Sequence, residues 1–206
     1  LRAKPWSKQI EIAEALQRYP YRVMVMASHA VGKTWTAGWL TNWWYDTRDP
    51  GVCITTAPTY EQVKDLTWRE IRLQRGIRGG FSGPKVPELW SAPDHWAKGI
   101  TSATGEGFQG KHDLDLMFVL DEAIGVPAFV YEVLGSMFAP TGKHAILAIG
   151  NPTDTTSAAY AEAKSGKWTV IQMEARDHPN IAAELAGLPP PCPAAIRLSQ
   201  LEEMLR

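Results

Sequence analysis

The 206-residue sequence has little of what marks a membrane-bound, secreted or strongly cationic protein. Its two cysteines, Cys53 and Cys192, lie at no metal-ligand spacing and make a poor disulfide framework, so we expect two free thiols in a reducing compartment. The longest apolar runs, such as residues 116–120, fall far short of the roughly 20 residues that span a bilayer, and no signal-peptide pattern is present. Neither sign of charge is in excess, because 21 Lys and Arg residues face 22 Asp and Glu residues. These absences predict a soluble, intracellular protein without membrane contacts that would touch nucleic acid only through a local basic patch.

The sequence does have strand-like and helix-like segments that alternate along the chain. Residues 5–18 predict an amphipathic helix capped by Ser7, and residues 21–26 predict a strand that leads through a loop into a helix over 33–44. The strand predicted over 51–58 leads into a helix that begins with a capping box and runs to about residue 74. Further predicted elements are strands at 88–91, 96–102, 116–120, 144–150 and 168–174, a helix at 127–138, a mobile loop at 75–87 and a proline-rich tail with a short helix.

Two of these strands, 116–120 and 144–150, are apolar at every position. Such strands are buried on both faces, as in the middle of a parallel sheet. The alternation therefore predicts an α/β domain with a central, mostly parallel sheet flanked by helices. Ligands of such domains bind beyond the carboxyl ends of the strands, and the polar side chains that follow the strands are the candidates for chemistry.

The segment ASHAVGKT, residues 27–34, matches the relaxed phosphate-loop pattern [AG]xxxxGK[ST] between a strand and a helix. In that interpretation the backbone of Ser28, His29, Ala30, Val31 and Gly32 wraps the phosphates, Lys33 reaches the β- and γ-phosphates, and the Thr34 hydroxyl binds Mg²⁺. Ala27 replaces the usual first glycine, so its φ must be negative. Two alternatives stay open: an ordinary turn with a surface lysine, and a His29 that is merely an exposed loop residue.

Asp121 and Glu122 end an apolar strand and complete the predicted site. Asp121 can hold Mg²⁺ through its water shell while Glu122 polarises an attacking water, a pairing that favours hydrolysis of ATP. The alternative is that the pair caps the next helix.

Two further segments are candidates for nucleotide sensing. Residues Gly150, Asn151, Pro152 and Thr153 follow a strand and can respond to loss of the γ-phosphate, or simply form a turn. Gln9 can read the adenine edge, or be a surface glutamine.

The order of these motifs resembles the ATPase domain of the large terminase subunit of tailed bacteriophages. The segments that carry the resemblance are WSKQ (6–9), SHAVGKT (28–34), APTYEQV (57–63), GFQGKH (107–112), VLDEAIGVP (119–127), AIGNPT (148–153) and DHPN (177–180). It implies a recA-like P-loop NTPase of the additional-strand, catalytic-glutamate type. By this resemblance Gln9 is the adenine-sensing glutamine, Lys33 and Thr34 belong to the Walker A motif, Asp121 and Glu122 are the Walker B metal and catalytic residues, and 150–153 is the coupling motif.

The resemblance also implies what the protein works with. The implied function is an ATP- and Mg²⁺-dependent motor that packages double-stranded viral DNA, acting as a ring, pentameric on the portal protein, with the small terminase subunit as a further partner. Its implied place is the host cytoplasm, at the procapsid portal during packaging. DNA binding by the isolated domain is expected to be weak, because the net charge is −1. A helicase-like ATPase or an ATP-switched assembly module stays open as an alternative.

The sequence departs from the family at two places. His29 stands where family members often carry a basic residue, commonly arginine, and no acidic nuclease domain follows residue 180. We therefore expect an ATPase domain over 1–180, a proline-rich linker and short helix over 181–206, and no nuclease activity. A neighbouring subunit can supply a charge-stabilising basic residue, for which Lys111, Arg75 and Arg78 are candidates.

Overall fold

The computed structural model describes residues 4–76, 87–101 and 115–205. Its helices are α1 Ser7–Ala15, α2 Lys33–Thr47, α3 Tyr60–Gln62, α4 Trp68–Arg75, α5 Ala128–Met137, α6 Ala158–Lys164, α7 Pro179–Leu185 and α8 Leu198–Met204. Its strands are β1 Arg22–Ala27, β2 Gly51–Ala57, β3 Glu88–Ala92, β4 His95–Thr101, β5 Asp115–Asp121, β6 His144–Gly150 and β7 Thr169–Met173. Most of the loop predicted over 75–87 lies outside the described residues, as does the segment GFQGKH.

The seven strands form one sheet in the order β3-β4-β2-β5-β6-β1-β7. All neighbouring strands are parallel except β3, which runs antiparallel to β4. Residues 116–120 and every residue of β6 are buried, as their apolar sequences predict. The structure therefore confirms the predicted α/β architecture with a central, mostly parallel sheet.

Helices cover both faces of the sheet. On one face α1, α2 and α4 pack with α7 and α8, and their buried side chains include Ile12, Leu40 and Trp68. On the other face α5 and α6 pack against alternate residues of the same strands, such as Phe118. Within the described residues no helix is both long and apolar enough to cross a bilayer.

Two details of the predicted helices are wrong, and local hydrogen bonding explains both. The N-cap of α1 is Trp6 rather than Ser7, because the Gln9 side chain turns back to accept the Trp6 N–H at 3.1 Å. The helix after β2 is not regular, because a π-helical turn, Val63–Thr67, separates α3 from α4. A π turn holds one extra residue, so the adjacent Thr67 and Trp68 are both buried.

The C-terminal segment packs on the same core. The boundary predicted at residue 180 falls inside α7, and Asn180 is fully buried. Its amide donates to the carbonyls of Cys192 and Ile196 at 2.7 and 2.9 Å and accepts the Cys192 N–H at 2.9 Å. These bonds fold the proline-rich stretch back, so Ile196 is buried in the core beside α7.

Candidate active site

The segments that follow β1, β5 and β6 meet at the carboxyl edge of the sheet. The strand order places β6 between β1 and β5, so the phosphate loop, the Asp121–Glu122 pair and the segment 150–153 are neighbours. The fold thus brings together most of the residues that the sequence marks as candidates.

The loop after β1 has the backbone that a phosphate cradle requires. Ala27 belongs to the extended strand, which confirms its predicted negative φ. Ala30 and Gly32 have φ values of +57° and +92°, so the chain turns twice before α2 begins at Lys33. The N-terminus of α2 then faces the loop with its unpaired N–H groups, the end of a helix that attracts anions.

Lys33 is not the surface lysine of the alternative interpretation. Its side chain is 8% exposed and donates to the Ser28 carbonyl at 3.1 Å, which closes the loop on itself. Burial lowers the pKa of Lys33, while the carboxylates of Glu122 and Asp121 oppose that shift. All three groups therefore share one electrostatic environment. His29 and Ala30 are exposed at the tip of the loop, Val31 is buried, and Ser28 and Thr34 are half-buried.

Asp121 is a buried carboxylate held by two hydrogen bonds. Its Oδ2 accepts the Thr67 hydroxyl at 2.8 Å, and its Oδ1 accepts the Glu122 N–H at 3.1 Å. Burial raises the pKa of Asp121 to about 6, although the bond from Thr67 lowers it. An ionised Asp121 is costly in this site unless a cation is present.

Glu122 lies in the left-handed region, with φ +50° and ψ +47°. This conformation costs roughly 1–3 kcal/mol for a residue with a side chain, and such residues cluster at functional sites. Glu122 precedes a 3₁₀ turn, Ala123–Gly125, but its side chain caps no backbone group there. The helix-cap alternative therefore does not account for the residue, and Pro127 is the N-cap of α5.

The segment after β6 contacts both the loop and the turn after Glu122. Asn151 is buried and donates from Nδ2 to the Ala27 carbonyl at 2.9 Å. A Cβ on Gly150 would lie 3.0 Å from the Ala123 nitrogen, so the strand end and the turn are in close backbone contact. Pro152 and Thr153 are exposed and help to line a cavity of about 610 Å³ beside Ser28 and His29.

Gln9 is not a surface residue, since it is only 4% exposed. Its Nε2 donates to the Thr36 hydroxyl at 3.0 Å, and Thr36 in turn donates to the Gly32 carbonyl at 2.8 Å. A Cβ on Gly32 would lie 3.1 Å from the same Nε2. Gln9 thus stabilises the phosphate loop through Thr36 and its close approach to Gly32. Its predicted role in reading adenine stays a prediction.

The oxygen atoms at this edge suit Mg²⁺. The Asp121 carboxylate and the Thr34 hydroxyl are the hard donors that Mg²⁺ prefers, and the Thr34 hydroxyl makes no hydrogen bond to the described part of the chain. Residues 4–76, 87–101 and 115–205 contain no group of three or more His, Cys, Asp or Glu side chains able to hold a metal. Mg²⁺ would therefore need phosphate and water oxygens to complete its ligands, as is usual for this ion.

The structure adds two contacts that the sequence did not mark. Thr67 has no local sequence signal, because only the fold brings it to Asp121. The Ile196 N–H donates to the Ala30 carbonyl at 2.9 Å, which ties the C-terminal segment to the tip of the loop. Asn180, which holds that segment, ends the DHPN motif, so the resemblance marked its position but not its role.

The candidate trans-acting residues are placed unevenly. Lys111 and Arg78 lie outside the described residues. Arg75 ends α4, where its guanidinium donates to Asn42 at 3.2 Å and to Asp46 at 2.9 Å in the same chain. To act on a neighbouring subunit, Arg75 would have to leave both partners.

Comparison with known proteins identifies the fold. No family model and no curated protein matches the sequence. Among solved structures, the large terminase of a thermophilic bacteriophage shares 14% identity and a TM-score of 0.63 over 83% of this chain and 46% of its own. The same thermophilic-phage protein in complex with ADP gives 14% identity and a TM-score of 0.61 over 81% of this chain and 44% of its own. The ATPase domain of the Thermus phage P74-26 large terminase gives 15% identity and a TM-score of 0.53 over 84% of this chain and 82% of its own.

This chain therefore has the P-loop α/β fold of large terminase ATPase domains. It spans about half the length of the thermophilic-phage protein and most of the P74-26 ATPase domain. The matched region is thus the ATPase part of those proteins.

Proposed function

We propose that the chain is an ATP hydrolase motor domain of the large terminase type. The observation that carries the proposal is one sheet edge at which buried Lys33, buried Asp121 and the left-handed Glu122 converge, in a fold shared with large terminase ATPase domains. The ADP complex of the thermophilic-phage large terminase supports a nucleotide as the ligand.

Each residue has a role that its surroundings suit. Lys33 would exchange the Ser28 carbonyl for β- and γ-phosphate oxygens, and the N–H groups of the loop would cradle the phosphates. Glu122, whose side chain is committed to no backbone group, would accept a proton from the attacking water. Mg²⁺, held by Asp121 and Thr34, would neutralise charge on the phosphates. Asn151 would carry the change at the γ-phosphate to the Ala27 carbonyl at the start of the loop.

The catalytic part of the proposal is tested by phosphate release. Glu122→Gln should lower turnover by about 10²–10⁴-fold while ATP still binds, because only the proton acceptor is lost. Lys33→Ala should abolish ATP binding itself. Glu61→Gln, an exposed change on α3, is the matched control. Undiminished turnover by Glu122→Gln would contradict the assignment of Glu122 as the proton acceptor. A nucleotide-dependent change of assembly without phosphate release would identify an ATP-switched module instead.

We extend the proposal to the work that hydrolysis drives. The motor would move double-stranded DNA into a procapsid as a ring, proposed to be pentameric, on the portal protein, together with the small terminase subunit in the host cytoplasm. A residue from a neighbour would supply the basic group that His29 does not, so ATPase activity should rise faster than linearly with protein concentration. A strictly linear dependence would mean that each subunit holds a complete site.

DNA binding by the isolated domain should be weak and sensitive to salt. The candidate basic patch comprises Lys64, Arg69 and Arg72 along the π turn and α4. Lys64 already forms an ion pair, because its Nζ lies 3.6 Å from Oδ1 of Asp65. Few cations release few counterions, so affinity rests on several subunits acting together. Filter binding of a duplex at rising salt checks this, and tight binding by the monomer at physiological salt would contradict it.

A further inference from the structure

A second concave site lies at the amino ends of the strands, opposite the candidate nucleotide site at their carboxyl ends. Two adjoining cavities of about 360 and 390 Å³ are both lined by Arg22, Lys167 and Trp168. Arg22 is the first residue of β1 and Trp168 directly precedes β7, so the cavities lie where these parallel strands begin. Nothing at the phosphate loop contributes to their lining.

Arg22 is a half-buried cation that forms no ion pair within the described residues. Its guanidinium lies 4.2 Å from the centre of the Phe138 ring and makes no hydrogen bond or ion pair with any residue in the described part of the chain. Burial lowers the pKa of Arg22, with Glu162 opposing that shift. Charged side chains removed from water are normally paired, and an arginine that is not has a fork of donors available to a ligand.

The carboxylates near Arg22, Glu132 and Glu162, line the cavity of about 390 Å³ only. The Glu162 carboxylate accepts the Trp168 indole N–H at 2.8 Å, which fixes it on the wall. Lys167 is exposed and forms no ion pair within the described residues. The cavity of about 360 Å³ is therefore lined by two cations, Arg22 and Lys167, and by no carboxylate of the described chain.

The remaining walls are aromatic and apolar. Tyr19, Pro20, Phe138, Pro140 and Trp168 line the cavity of about 360 Å³, and the Tyr19 ring is 77% exposed at its rim. Such a mixture suits a ligand with a negative group and an apolar neighbour. Exposed aromatic side chains beside a cation are also typical of protein-binding sites.

We propose that the Arg22 cavity binds an acidic side chain, with an adjacent apolar side chain, from a peptide segment of a partner protein. A carboxylate can take two parallel hydrogen bonds from the Arg22 guanidinium, while the apolar neighbour packs on Phe138 and Trp168. Each cavity has the volume of one or two side chains. A DNA duplex is a poor occupant, because two cations beside the Glu132 and Glu162 carboxylates neutralise few phosphates of a continuous polyanion. A free phosphate would leave the aromatic walls unused.

The test is an NMR titration that can follow weak binding. The probes are two blocked tripeptides, Leu-Asp-Leu and Leu-Asn-Leu, and the signals are the Trp168 indole N–H and the backbone amides of Phe138 and Lys167. The aspartate peptide should bind at least about tenfold more tightly than the asparagine peptide, because only the former carries a charge for Arg22.

Variants decide whether Arg22 is responsible. Arg22→Gln should weaken the aspartate peptide at least about tenfold and remove the difference between the two peptides. Lys167→Gln, an exposed change that leaves the fold intact, should weaken it by a smaller factor. Arg18→Gln is the matched control, because Arg18 lies nearby in sequence with its side chain 75% exposed. ATPase activity should be the same in all three variants.

Three outcomes would overturn the proposal. Equal shifts with both peptides would mean that no charge is read, and unchanged affinity in both Arg22→Gln and Lys167→Gln would mean that the cations are not used. Inorganic phosphate or a short DNA duplex that moves the same signals at lower concentration than the aspartate peptide would identify a phosphate site instead.

Discussion

Thr67 donates its hydroxyl proton to Oδ2 of Asp121 over 2.8 Å, and both side chains are almost completely buried. The two residues are 54 positions apart in the sequence and belong to the π turn and the end of β5. The contact exists because the extra residue of the π turn directs Thr67 and Trp68 inward together. Through it, the segment that follows β2 is in direct contact with the candidate metal ligand.

Ionised Asp121 should lower the free energy of unfolding of the metal-free protein at neutral pH. Its folded-state pKa is about 6, above the ordinary value of 3.8, so the folded protein holds this proton more tightly. The stability that comes from this tighter proton binding is present at low pH and is lost as pH rises through about 6. Asp121→Asn should therefore raise the free energy of unfolding by about 3 kcal/mol at pH 8 and by little near pH 4, since one pKa unit is about 1.4 kcal/mol. The Asn amide can donate to a turned Thr67 hydroxyl, so packing is kept.

Urea unfolding at the two pH values, without Mg²⁺ or nucleotide, measures this effect. Asp94→Asn, in the exposed turn between β3 and β4, should change neither value. Thr67→Val should have the opposite sign, because it removes a donor that favours the ionised form, and its cost should be larger at pH 8 than at pH 4. If Asp121→Asn raised the free energy of unfolding equally at both pH values, the link between stability and the pKa of Asp121 would be contradicted.

Gly150 should be needed for turnover more than for binding. In Gly150→Ala the new Cβ would lie 3.0 Å from the Ala123 nitrogen and 3.3 Å from the Ile124 nitrogen, backbone atoms that have to move. Glu122 directly precedes the displaced turn, so we expect turnover to fall about ten- to a hundredfold and ATP affinity to change less than about threefold.

The control for that prediction is Gly135→Ala. No atom lies within 4 Å of a Cβ at Gly135, which is inside α5, so this change should stabilise the protein by about 0.5–1 kcal/mol and leave turnover alone. Parallel losses of affinity and turnover in Gly150→Ala would show that the loop, rather than Glu122, was disturbed.

Asn180 should couple the C-terminal segment to the phosphate loop. Asn180→Ala leaves the N–H and carbonyl of Cys192 and the Ile196 carbonyl without this partner, at a cost of about 3 kcal/mol in unfolding free energy. Since Ile196 donates to Ala30, a released segment should also weaken ATP binding.

Calorimetric titration with ATP, at a temperature where Asn180→Ala is folded, measures this coupling. Gln200→Ala is the control, because Gln200 only accepts the Arg197 N–H at the exposed start of α8 and should cost no more than about 1 kcal/mol. Unchanged ATP affinity in Asn180→Ala would mean that the loop keeps its shape without the tie.

Gln9 should contribute both to loop support and to base selection. Gln9→Ala removes the donor to Thr36 and the cap on Trp6, so affinity for any nucleotide should fall. If Gln9 also reads adenine, the fall should be larger for ATP than for GTP. Competition binding with both nucleotides measures this difference, and Gln17→Ala, an exposed change in the turn just after α1, is the control. Equal losses for ATP and GTP would leave Gln9 a support of the loop alone.

Local sequence signals determined the elements and much of the candidate site. Apolar runs located β5 and β6, the spacing of Gly32, Lys33 and Thr34 located the phosphate loop, and the Thr59–Gln62 capping box located the start of α3. These signals succeed because each depends on residues within about one helical turn or one strand of each other.

Only the tertiary structure decided which distant residues meet. The Thr67–Asp121 bond, the tie from Ile196 to Ala30, the burial of Gln9 and the unpaired Arg22 all depend on the strand order and on the π turn. No single stretch of sequence encodes such a contact, because it forms only when packing of the whole sheet fixes both partners. The sequence by itself therefore determined which side chains are candidates for chemistry, and the fold decided which other side chains hold them in place.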